Sequence, residues 1–401
     1  MKKICFDLRA LQIGHQNRGI GMFLKSVLEH LPADENEYLF YCFDKNDPIK
    51  DLNISLRIKY KIVTTPTMST RIDSPKNFFD MIKLIKHRFR PLKEYHPDIF
   101  IQPDFALGLP KWRKTKTFVI GYDLIPLIFR HDYIPGITYA WTHSPGKRAK
   151  LKAIPRSIYY RIKYRINYKT FKRADQIICI SDSTRKSFID LLHINPKKLT
   201  TIPLAPVVSK SAPDYSIANS IKKSYIFYIG GTDSRKRIQD IVFAFNISRS
   251  RGSDIALVLA GNEFTEANTV PSTEGRKAIL SSPYRQDIHL VGFVTDNQKL
   301  ALYQKALAFI FTTIHEGFGL PIIEAMHASC PVISYNNSSI PEAAGKAAIL
   351  VETLDYVGLA IKINELTFDK DKKHIIQAGL KQAEKFSWEN YTSSLHDLIS
   401  S

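Results

Sequence analysis

Two glutamates, Glu316 and Glu324, stand on either side of a Gly-Phe-Gly turn and a proline in the stretch IHEGFGLPIIEA at 314–325. Gly317 and Gly319 permit a tight turn, and Pro321 suits the first turn of a helix, where its missing N–H costs nothing. The run LAFIFTT just before reads as a buried strand, so the turn lies at a strand end and a helix start presents free N–H groups beyond it. Such a start attracts phosphate, with a dipole contribution of about 0.3–1 kcal/mol per exposed charge. Carboxylates repel phosphate, so the two glutamates must address something else. A carboxylate accepts two hydrogen bonds from neighbouring hydroxyls, and these charge-assisted bonds are the stronger kind.

A second loop, YIGGTDSRKRI at 228–238, repeats the theme with a strand, Gly230 and Gly231, then Arg235 and Lys236 where the next helix begins. Those two cations can neutralise a diphosphate without a metal. Read singly, Arg235-Lys236-Arg237 could be a solvated charge run. Paired with the first loop at a matching strand end, it describes a site for a ligand with hydroxyls on both sides of a diphosphate, which is the shape of a nucleotide sugar.

The elements that must position these loops are legible as short apolar runs alternating with helical patterns. KKICFDL precedes RGIGMFLKSVLEHL; QIICISD precedes STRKSFIDLLH; SYIFYIGG precedes RKRIQDIVFAFNIS; IHLVGFV precedes DNQKLALYQKA; LAFIFTT precedes LPIIEAMHAS; TFVIGYD, IALVLAG and PVISYNN supply further strands. Strand-helix alternation implies βαβ units and parallel sheets covered on both faces. It recurs on both sides of the Pro-rich PLAPVVSKSAP at 203–213, read as a linker. The expected fold is therefore α/β, with two Rossmann-like doubly wound domains facing a central cleft and ligands at the carboxyl ends of the strands.

Composition agrees with two cores, since 401 residues with 44% hydrophobic content exceed one typical domain. No run approaches the roughly 18 apolar residues of a membrane span, and the start MKKICFDLRAL lacks the apolar core of a secretion signal, so a protein neither secreted nor transmembrane is expected. Cys5, Cys42, Cys179 and Cys330 show no paired ligand spacing and suit reduced, packed thiols of a cytoplasmic protein. The formal charge of +19 falls entirely in the first half, where residues 1–200 hold 37 Lys+Arg against 18 Asp+Glu. That asymmetry points to one domain meeting a polyanion.

Most of this charge lies in MIKLIKHRFRPLK at 81–93 and in the segment 146–173. In the latter, Arg161, Arg165, Lys169 and Lys172 recur at helical spacing beside Tyr160, Tyr164, Tyr168 and Phe171. One reading is a surface helix whose tyrosines enter its own core; another is a helix on an anionic membrane surface. Nucleic acid is not expected as a partner, because no nucleic-acid-binding signature accompanies the charge. Asp369-Lys370-Asp371 has the form of a metal-binding Asp-X-Asp but sits among charges away from any strand end, so no metal site is expected there. His131-Asp132, His143 and His315 are histidines near the expected cleft without an assigned part.

EGFGLPIIEA, the following PVISYNNSSIPEAAG, the YIGGTDSRK loop and RADQIICISDSTRKS together resemble family 4 of the retaining GT-B glycosyltransferases. RGIGMF and YDLIPL narrow the likeness to the subgroup resembling bacterial O-polysaccharide mannosyltransferases. The resemblance implies that Glu324 binds the nucleotide ribose. It assigns the transferred sugar and diphosphate to Glu316 and the amides of Phe318, Gly319 and Leu320, and phosphate neutralisation to Arg235 and Lys236. Gly19 and Gly21 would bring a backbone turn to the same diphosphate, and the base would rest near Val294. A closing helix in KFSWENYTSSLHDLI would return to the first domain. Two positions depart from the pattern: Tyr122 stands before Asp123 where a histidine is usual, and Gly231 where many members carry an arginine. Tyrosine can donate a hydrogen bond but cannot be a cation near neutral pH, so Asp123 becomes the stronger candidate beside Tyr122.

The organisation expected is an acceptor-binding domain over 1–205, a donor-binding domain over 206–385 and a returning helix over 386–401. The expected activity is retaining, metal-independent transfer of a hexose, mannose from GDP-mannose first and a UDP-sugar second, without a cofactor. The acceptor would be a lipid-linked or growing surface polysaccharide, approached from the inner face of the plasma membrane. Alternatives are a catalytically silent sugar-nucleotide or glycan-binding subunit, or a sugar-nucleotide epimerase of the same fold. A nicotinamide oxidoreductase is disfavoured because RGIGMFL lacks the third glycine of G-x-G-x-x-G.

Overall fold

The computed structural model of the chain describes residues 1–12, 19–43, 48–50, 52–65, 89–134, 158, 161–162, 164–208, 211–265, 273–369 and 371–401, with Thr273 by its backbone alone. The basic run at 81–88, the segment 146–157, His143 and Tyr160 lie outside the described residues. Two compact units are present: Met1–Pro203 with Trp388–Ser401, and Leu204–Ser387. The changeovers fall two residues from those read from the sequence.

The first unit is built on β1 (Lys3–Asp7), β2 (Glu37–Phe43), β3 (Tyr60–Thr65), β4 (Ile99–Gln102), β5 (Lys116–Gly121), β6 (Gln176–Cys179) and β7 (Leu199–Thr201). They pair in the order β3-β2-β1-β4-β5-β6-β7, every pair parallel. Runs such as EYLFYCF are apolar on both faces because helices cover both sides of a parallel sheet. Cys5, Phe100, Val119, Ile177, Phe171 and Phe188 form the middle of its core. The helix Trp388–Ser400 packs here as well: Trp388 and Tyr391 place their rings 6.0 and 5.4 Å from that of Phe23, in the helix Gly19–Glu29.

The second unit contains β8 (Ser224–Ile229), β9 (Ile255–Ala260), β10 (Ile288–Gly292), β11 (Ala308–Phe311), β12 (Val332–Tyr335) and β13 (Ile349–Val351), ordered β10-β9-β8-β11-β12-β13 and again all parallel. In both sheets the winding reverses once, between β1 and β4 and between β8 and β11. A reversal leaves a crevice at the carboxyl ends of those two strands, where ligands of open α/β sheets bind. The doubly wound α/β class expected from the alternation is thus present twice. All four cysteines are buried and free. Among the described residues no helix is long and apolar enough to cross a membrane.

Candidate functional site

The crevice of the second sheet is framed by the loops leaving β8 and β11, and hydrogen bonds lock these loops together. The Ile314 amide donates to the Arg235 carbonyl at 2.9 Å, and the Thr312 hydroxyl to the Lys236 carbonyl at 2.8 Å. The loop after β12 joins them: Ser338 Oγ accepts from the Glu316 amide at 3.0 Å, and Ser339 Oγ donates to the Glu316 carbonyl at 3.0 Å. Glu316 is therefore held through its backbone on both sides, which places its side chain at the crevice.

That carboxylate meets the two cations read from the sequence. Arg235 Nη1 lies 2.8 Å from Glu316 Oε1 and also donates to the His315 carbonyl at 2.8 Å; Lys236 Nζ pairs with the same Oε1. All three side chains are only 13% exposed. The Lys236 ammonium also sits 5.0 Å from the Phe311 ring centroid, over its face. Burial raises the cost of ionising Glu316, but Lys236 and Arg235 overcome it and hold the carboxyl below its ordinary range. Burial likewise pulls Lys236 below the usual lysine value. Burial also holds the half-buried His315 imidazole below its ordinary value.

After the turn, Gly319 adopts φ +107°, and a Cβ there would sit 3.3 Å from Ile340 Cδ1, so glycine suits both the dihedral and the space. The helix Leu320–His327 follows with Pro321 in its first turn. Phe318 is buried against the Phe386 ring at 5.5 Å. Glu324 lies one turn in, and its Oε2 pairs with Lys299 Nζ at 3.1 Å. Burial pushes the Glu324 carboxyl above its usual value despite Lys299. The two glutamates thus have different cationic partners and opposite shifts.

Beside this cluster a cavity of about 350 Å³ is lined by residues including Gly230, Gly231, Gly261, Glu263, Phe293 and Val294. Its floor is made of strand ends stitched together: the Gly230 amide donates to the Ala260 carbonyl at 3.1 Å, and the Gly261 amide to the Gly292 carbonyl at 2.8 Å. Gly230 and Gly261 have φ of +155° and +143°, and a Cβ on Gly261 would lie 2.1 Å from the Gly230 carbonyl oxygen. At Gly231 the space is open. Glu263, which the sequence reading passed over, accepts from the Thr232 amide at 2.9 Å and from its hydroxyl, bracing the loop after β8.

In the first unit, Asp123 Oδ1 accepts from the Ile125 amide at 2.9 Å and so shapes the turn into Ile125–Ile128. Tyr122 stacks its edge on Phe23 at 5.7 Å. Its hydroxyl is buried with no hydrogen-bond partner among the described residues, and burial raises its pKa well above the ordinary phenol value. Gly19 and Gly21 begin the helix Gly19–Glu29, Gly21 buried and Gly19 open, while the residues just before them lie outside the described set. Of the basic helix, residues 164–173 are described as continuous. Tyr168 and Phe171 turn into the core with Tyr164 against it, whereas Arg161, Arg165, Lys169 and Lys172 face outward. The aromatic stripe is core. What accompanies the cations outside are Ile158, Ile162 and Ile166, each between 41% and 54% exposed. Among the described residues no group of three or more His, Cys, Asp or Glu converges as metal ligands.

Two doubly wound units, one with a glycine loop and paired cations at its switch point, match the GT-B class of α/β proteins. The profile described as "Glycosyltransferase Family 4" matches residues 17–205, and that of "Glycosyl transferases group 1" matches 215–382. One glycosyltransferase profile covers each unit, and the chain is a GT4-like glycosyltransferase of the GT-B fold. Among relatives, an O-antigen chain mannosyltransferase B of Escherichia coli is 29% identical over 58% of this chain and 64% of its own length. A serotype-specific mannosyltransferase WbdA of Escherichia coli is 26% identical over 69% of this chain, which spans 32% of that protein. Among solved structures, HepE of Anabaena, in complex with UDP and glucose, superposes with a TM-score of 0.66 at 14% identity over 100% of both chains.

Proposed function

We propose that the protein transfers a mannosyl residue from GDP-mannose to a lipid-linked or growing surface polysaccharide, with retention of anomeric configuration and without a metal. The observation carrying this reading is the buried Glu316–Arg235–Lys236 cluster at the β8/β11 switch point. It pairs two cations suited to a diphosphate with a carboxylate suited to sugar hydroxyls. Relatives named as mannosyltransferases support the choice of sugar, and the one named for the O-antigen chain supports the choice of acceptor.

In this reading Glu324 accepts from the ribose hydroxyls and the cavity beside Val294 takes the base. Arg235 and Lys236 neutralise the diphosphate as charge builds on the leaving oxygen, in a site whose loops are already fixed. Glu316 turns from its cations to the transferred sugar. The bond from C1 to the leaving oxygen breaks, the acceptor oxygen bonds C1 on the same face, and the acceptor proton passes to the departing phosphate. Asp123 and Tyr122 remain candidates for contact with the transferred sugar.

The basic first unit would hold the enzyme at the inner membrane face. Cations of the helix over 164–173 would meet anionic headgroups at about 1 kcal/mol each, while Ile158, Ile162 and Ile166 enter the headgroup boundary. Thermal unfolding with GDP-, UDP-, ADP- and dTDP-sugars in EDTA tests the donor site, followed by NMR of the product's anomeric centre. Stabilisation by GDP-mannose and an α-linked product are expected. Binding without turnover, unchanged in Glu316→Gln, would instead make the protein a silent binding subunit.

A further inference from the structure

We infer that Lys299 is a positioning residue for the nucleotide, acting through Glu324. The inference rests on the reading of Glu324 as the ribose ligand and names a residue that neither the glycine loops nor the glutamate spacing points to. Lys299 lies on the helix Asp296–Lys305, outside the two loops of the site.

Three observations converge on it. First, Lys299 Nζ lies 3.1 Å from Glu324 Oε2 and 3.2 Å from Asp296 Oδ1, so one ammonium bridges a carboxylate that is 19% exposed and one that is 64% exposed. Second, the helix carrying Lys299 is fixed at its start by a reciprocal cap: Thr295 Oγ1 accepts from the Gln298 amide at 3.3 Å, and Gln298 Oε1 accepts from the Thr295 amide at 3.0 Å. Thr295 directly follows Val294 on the cavity wall, so the capped start of the helix carrying Lys299 is joined to that wall. Third, the other neighbours of Glu324 do not supply positive charge. Tyr303 presents a buried phenol, its hydroxyl 3.4 Å from the Pro321 carbonyl, and Asp296 is itself an acid.

A carboxylate must be both fixed and ionised to accept from two vicinal hydroxyls. Lys299 does both. It holds Oε2 from one side, while the buried Tyr303 phenol also donates to the carboxylate. Its charge also opposes the burial that favours the protonated acid. Without that charge the carboxyl titrates at higher pH and spends more time as a neutral acid, which must donate one of its own bonds.

The test is calorimetric binding of GDP, with UDP as a second probe, to wild type, Lys299→Met, Lys299→Arg and Glu324→Gln between about pH 6 and pH 8.5. In Lys299→Met the Kd is expected to rise about tenfold at the acid end, where the carboxyl more readily takes up a proton, and the gap to wild type to narrow toward the alkaline end. Lys299→Arg keeps the charge and stays within about threefold at every pH. Glu324→Gln is weak throughout and flat with pH. Impaired Glu324→Gln beside a Lys299→Met curve parallel to wild type, or a Lys299→Arg as weak as Lys299→Met, overturns the assignment of Lys299 alone. Full binding by Glu324→Gln, or no binding of either probe by wild type, overturns the ribose reading and this inference with it.

Discussion

Glu316 and Glu324 lie in one motif, yet they are predicted to respond oppositely to replacement. Glu316→Ala leaves Arg235 and Lys236 buried without their shared counterion, and breaking such a pair typically costs about 3–5 kcal/mol. Inorganic pyrophosphate should recover much of the lost melting temperature; equal shifts in wild type and variant would show that the two cations do not hold an anion. The pH dependence follows the same division. Glu316 titrates below its unfolded value, so its contribution is complete above that value and disappears as pH falls through the lower folded one. Glu324 titrates above it, so its ionisation opposes folding as pH rises past the unfolded value. Glu324→Gln, which leaves Lys299 with Asp296, is therefore expected to be neutral or stabilising near pH 7 in the absence of ligand. In the same variant, the protection of about 2.7 kcal/mol that a nucleotide at 100 times its Kd gives should vanish. A Glu324→Gln protein that melts early yet still responds to nucleotide would contradict both assignments.

At the scale of elements, the cavity depends on strand ends that approach too closely for side chains. Gly261→Ala puts a methyl into the Gly230 carbonyl and strains a positive φ, at roughly 1–3 kcal/mol for the dihedral alone. A lowered melting temperature with loss of GDP binding is expected, and unaltered binding would place the base elsewhere. These glycine turns and the buried runs around them were legible because glycine, β-branched and aromatic residues each have strong local preferences. Three-residue β7 and β13 were not, since such short edge strands exist only by pairing with a neighbour. Lys299 was equally hidden: its partner lies on another helix, and nothing local marks a lysine that turns inward. On the basic helix the periodicity was visible but its sides were ambiguous. Tyr168 and Phe171 pack inward and three isoleucines stay out, a choice made by the core rather than by spacing.

For the whole molecule, the excess charge of residues 1–200 and the isoleucine row predict binding to vesicles that is sensitive to both salt and apolar contact. Ile162→Asp should weaken retention on anionic vesicles at low salt without altering GDP affinity, measured by co-sedimentation; retention unaffected by the variant or by added salt would remove the membrane from this helix. The chain also passes from the first unit to the second and back, so the second is an insertion and the helix Trp388–Ser400 completes the core of the first around Phe23. During synthesis the order of beginnings is therefore not the order of completion. The unit that leaves the ribosome first must wait, with its aromatic cluster unfilled, until the inserted unit has been made and the helix Trp388–Ser400 emerges. A stop directly after Ser387 would leave a finished insert hanging from an unfinished host.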